Sequence, residues 1–67
     1  MNDSQQLLES LTQLLKTHDW GYQFSDDHRV WRAGEQHSLK IQHAMDKLFR
    51  MGLEQEARAL YNEHRRG

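Results

Sequence analysis

Sixty-seven residues allow one small domain, and a chain this short buries only about 60% of its unfolded surface, so its core is marginal. Without cysteine there is no disulfide and no thiolate metal site, and a net charge of −1 gives no strong pull toward nucleic acid or an anionic membrane. No apolar run approaches the roughly 20 residues of a membrane span, and MNDSQQLLESL lacks the basic start and cleavage pattern of a secretory signal, so a cytoplasmic protein is expected.

The first element is a helix over about Ser4 to Thr17, with Asp3 or Ser4 available to cap it. Leu7, Leu8, Leu11, Leu14 and Leu15 follow the 3,4 spacing of one apolar stripe, while Gln6, Glu9, Gln13 and Lys16 fall elsewhere. Five leucines on one short helix need a partner surface. They are the candidate apolar binding residues, for a protein partner or for a second copy in a homodimer.

Next comes WGYQF, in which Trp20, Tyr22 and Phe24 alternate with Gly21 and Gln23. That is strand periodicity, but a lone five-residue strand has no partner in a helical chain. The expectation is an extended aromatic connector whose three rings close the open end of a helical hairpin. Adjacent His18 and Asp19 form a poor catalytic dyad, because neighbouring side chains rarely point at each other.

The second helix should start near Ser25 or Asp26 and run to about Met51. Ser25, Asp26 and Asp27 supply a capping oxygen and carboxylates where the helix dipole is positive. At 100° per residue, Val30, Gly34, His37, Ile41, Ala44, Met45 and Leu48 share one face. Gly34 costs about 1 kcal/mol relative to alanine inside a helix, so close approach by another segment is its best explanation. A second stripe carries Arg29, Arg32, Gln36, Lys40, His43, Lys47 and Arg50. Its basic members are the candidate nucleic-acid contacts, with the nearby aromatics able to stack on bases. The competing reading is a solvated helix back.

Gly52 should end this helix as a left-handed residue, with Lys47 and Arg50 near the negative end of the dipole. A third helix then runs from about Leu53 to His64, burying Leu53, Ala57, Leu60 and Tyr61. The fold class is therefore all-α, one domain over 1–67: helix 1, aromatic connector and a helix 2–helix 3 hairpin. Trp20, Trp31, Ile41, Leu48 and Leu60 are expected in one core.

No two of the five histidines have the i, i+3 or i, i+4 spacing of a helical metal pair, and neither a phosphate loop nor a serine elbow appears. No metal, no cofactor and no catalytic residues are expected. Charge is unevenly spread. Residues 1–27 carry one base and five acids, residues 28–67 eight bases and five acids, a balance of −4 against +3 that could act within one chain or between two chains of a dimer, where it would favour an antiparallel arrangement.

HDWGYQFSDDHRVWRAG, residues 18–34, resembles a pattern in small proteins of phages, prophages and other bacterial mobile elements. The residues that fit are Asp19, Trp20, Tyr22, Ser25, Asp26, Asp27, Trp31 and Gly34. The resemblance implies a bacterial or viral cytoplasmic protein and brings no activity with it. The function expected is a non-enzymatic protein-interaction module, able to self-associate. The alternative is a small nucleic-acid-binding or regulatory protein using the basic stripe.

Overall fold

The computed structural model describes residues 3–65; Met1, Asn2, Arg66 and Gly67, the ends of the domain read over 1–67, lie outside the described residues. Three helices form: α1 over Asp3–Thr17, α2 over His28–Arg50 and α3 over Glu54–Arg65, with no strand among the described residues. The all-α reading holds, with helix ends within about three residues of expectation. α1 spans Asp3–Thr17 with Asp3 in its first turn, and the capping of its N-terminus lies outside the described residues.

The core is where the three apolar faces meet. Leu11 and Leu15 of α1, Ile41 and Leu48 of α2 and Ala57 of α3 are buried. Leu7, Leu8, Leu14, Trp20, Ala44, Met45, Leu53, Leu60 and Tyr61 pack around them, half-buried. Burying a leucine or isoleucine side chain contributes on the order of 1.5–3 kcal/mol, and the half-buried ring of side chains around the four large core residues adds to that gain. The expected α2 face is the observed one: Gly34, Ile41 and Leu48 are buried, and Val30, His37, Ala44 and Met45 are half-buried.

The α2–α3 turn is built as expected, and its bonds explain its brevity. Gly52 takes φ +81°, its N–H donates to the Phe49 carbonyl at 3.1 Å, and the Leu53 N–H donates to the Leu48 carbonyl at 2.9 Å. This is a Schellman motif, and its usual hydrophobic clasp is the Leu48–Leu53 pair. At the other end of α2, Asp27 is the N-cap: its Oδ1 accepts from the Arg29 N–H at 2.9 Å. Ser25 Oγ accepts from the Asp27 N–H at 3.1 Å, positioning the cap. Asp26 is exposed and is not the cap.

The connector departs from expectation. Tyr22–Phe24 forms a 3₁₀ turn rather than an extended segment. Asp19 starts it by accepting from the Gly21 N–H at 3.0 Å, and the Phe24 N–H donates to the Gly21 carbonyl at 3.0 Å. Side chains alternate in a strand but fan out in a 3₁₀ turn. Trp20 and Tyr22 therefore turn inward, whereas Phe24 points out, 89% exposed. Trp31 also lies outside the core, 41% exposed, because it falls off the α2 face that meets α1 and α3. Both expectations of burial are corrected for these two rings.

Tyr22 accounts for Gly34. A Cβ on Gly34 would sit 2.2 Å from Tyr22 Cγ and 2.5 Å from its Cβ, so only glycine lets the turn lie on α2.

Candidate interaction site

Ring contacts around the connector fix how the helices run. His18, just past α1, meets His37 in the first half of α2, with ring centroids 5.1 Å apart. Trp20 meets Tyr61 in the second half of α3, edge to face at 5.5 Å. So α2 runs back along α1, and α3 runs in the same direction as α1.

This arrangement leaves one side of α1 uncovered between two grooves. The groove between α1 and α3 has a volume of about 920 Å³. Leu8, Ala59 and Leu60 give it apolar wall, and Glu9, Glu56 and Glu63 line it with carboxylates. The groove between α1 and α2 has a volume of about 500 Å³. There Leu7, Leu39 and Ala44 supply the apolar surface, and Lys40, His43 and Lys47 the basic groups. Ser10 belongs to both grooves, so the crest of α1 separates an acidic channel from a basic one.

The five candidate leucines divide. Leu11 and Leu15 are fully enclosed by the chain's own core and present no surface to a partner. Leu7 and Leu8 line the two grooves, and Leu14 is half-buried against the core. All six basic candidates, Arg29, Arg32, Lys40, His43, Lys47 and Arg50, are exposed along α2. Over 21 residue steps they extend about 32 Å. Asp46 tempers one end of the row by pairing with Arg50 at 3.3 Å.

Two features escaped the sequence reading. The carboxylate rim joins residues of α1 and α3 that are 47 or more positions apart, for which no local spacing exists. The second is a histidine pair: His18 Nδ1 and His37 Nδ1 lie 3.4 Å apart, half-buried, one donating to the other. His18 also touches the edges of Trp20 and Tyr22. Its pKa is held below the ordinary value of 6.5, first by burial and then by neighbouring His37, with Asp19 opposing. Among the described residues no third histidine, aspartate or glutamate joins the pair to form a metal-binding group.

No described helix is long and apolar enough to cross a membrane. Comparison with known proteins finds no matching family model, no matching curated protein and no matching solved structure.

Proposed function

We propose that this protein is a non-enzymatic, cytoplasmic interaction module that binds another protein along the exposed side of α1. The observation that carries the reading is the pair of open grooves flanking that helix, each with apolar walls and a rim of one charge sign. Apolar surface supplies affinity, and a charged rim supplies orientation and partner choice. The resemblance of residues 18–34 to phage and prophage proteins makes a bacterial lysate the natural source of partners. Immobilised wild-type protein is expected to retain a defined protein from such a lysate. Ser10→Arg, which places a long cation on the exposed crest without touching the core, is expected to lose it. Equal capture by both, or capture no better than a blank matrix, removes the proposal.

A second reading rests on a different observation. Phe24 and Trp31 are exposed near the N-terminal end of the basic row, where Arg29 and Arg32 lie. Exposed rings beside guanidinium groups are what single-stranded nucleic acid uses for stacking and phosphate neutralisation. Under this alternative, anisotropy of a labelled oligonucleotide would rise on titration, with affinity falling steeply as salt increases. Affinity that ignores salt, or that survives Arg29→Ala with Arg32→Ala, excludes it.

A further inference from the structure

We infer that the partner seated on α1 is a second copy of this chain, in a two-fold dimer whose axis runs parallel to α1. The inference rests on the interaction-module reading and names its occupant. It starts from the crest between the grooves. Gln6, Ser10, Gln13 and Thr17 follow a 4,3,4 spacing on the side of α1 opposite its buried leucines, and all four are exposed. None of these four carries a charge; Asp3, three residues before Gln6 on the same row, puts one exposed carboxylate at its outer end, so the neutral stretch runs from Gln6 to Thr17. On a two-fold axis each residue meets its own copy, so a charged crest would repel itself, and a neutral polar crest with a small serine near its middle would not.

The flanks supply the complementarity. Rotation by 180° about an axis parallel to α1 exchanges left and right but keeps height along the helix. It places the acidic groove of one protomer against the basic groove of the other, twice per dimer. Heights also agree. α2 runs back along α1 and α3 runs forward, so Lys40 and Glu63 lie toward the connector end, and Lys47 and Glu56 toward the α2–α3 turn. The axis brings Glu63 opposite Lys40 of the other copy and Glu56 opposite its Lys47. A two-fold axis perpendicular to α1, the antiparallel arrangement, would set Lys against Lys and Glu against Glu. The opposite charges of the two grooves thus select the parallel form, in place of the antiparallel one that the halves of the sequence suggested. Leu39, half exposed on the basic side, would face the Leu8 and Leu60 wall of the partner's acidic groove.

The test is a charge swap read by sedimentation equilibrium at low salt. Glu9→Lys with Glu63→Lys makes both grooves basic. Lys40→Glu with Lys47→Glu makes both acidic. Every substituted side chain is exposed, and Glu56 is left alone because its carboxylate also supports the first turn of α3. Wild type is expected to dimerise. Each double variant alone is expected to dissociate on the order of tenfold or more readily, with helical content unchanged by circular dichroism. Mixed in equal amounts, the two variants are expected to recover a heterodimer, since each now offers what the other lacks. If a variant loses helical content, the salt response of wild type decides: weakening from 50 to 500 mM NaCl, on the order of severalfold, is required. A wild type monomeric at millimolar concentration, variants that dimerise like wild type, or folded variants whose mixture fails to recover each overturn the inference. A monomeric wild type that still captures a foreign protein through the Ser10 crest would leave the interaction-module reading standing.

Discussion

At the scale of single residues, Gly34 and Tyr22 form the tightest constraint in the chain. In most helix interiors Gly→Ala is favourable by about 1 kcal/mol. At Gly34 the new methyl would overlap Tyr22 at its ring base and Cβ, and the turn would have to move. Gly34→Ala is expected to destabilise, by roughly 1–3 kcal/mol as for other overpacked sites, visible as a lower Tm. A raised Tm would mean that Tyr22 does not lie on α2. His18 gives a pH response. Its folded pKa is lowered, so the unfolded chain binds the proton more readily. Stability is expected to fall as pH drops through 6.5 and to level off below the folded pKa. Melts between pH 7.5 and 5 should show a shallower decline for His18→Phe than for wild type. Phe24, by contrast, is expected to tolerate Phe24→Ser within about 0.5 kcal/mol, because it packs on nothing that burial rewards.

At the scale of elements, the legible parts of the sequence were those set by local rules. The leucine stripe, the α2 face, the Gly52 turn and the cap region all express spacings or conformations that short segments enforce by themselves. The connector was misread because WGYQF alternates like a strand, while Asp19 accepting from the Gly21 N–H curls it into a 3₁₀ turn. Local pattern could not show which rings would then face inward. The cap can be assigned to one residue by experiment. Asp27→Ala is expected to cost about 0.5–2 kcal/mol, and Asp26→Ala distinctly less, since only Asp27 accepts a helix N–H. Equal losses in thermal melts would return the cap to the pair. Leucine positions changed meaning too. Leu11, read from sequence as part of a partner-facing stripe, is sealed inside the monomer, so Leu11→Glu would report on the core and not on an interface.

At the scale of the whole molecule, three short helices solve the burial problem with one another, and what remains outside is the crest of α1 with its two grooves. The leucine surplus that suggested a partner in the sequence is only partly absorbed: Leu7 and Leu8 still edge the grooves. The crest itself was readable, since Gln6, Ser10 and Gln13 keep helical spacing opposite the leucines. The placing of its flanking charges was not, because all but Glu9 come from α2 and α3 and depend on how the helices run. The absence of cysteine permits a direct measurement. Gln6→Cys, Ser10→Cys and Gln13→Cys, each made singly, place one thiol on the crest, and Gln55→Cys places one on an exposed position of α3 away from it. Under mild oxidation the parallel two-fold dimer brings each crest thiol to its own copy. All three crest variants are then expected to form disulfide-linked dimers at similar rates, well above the Gln55→Cys rate. Crosslinking at only one crest position, or at none faster than Gln55→Cys, would contradict the account.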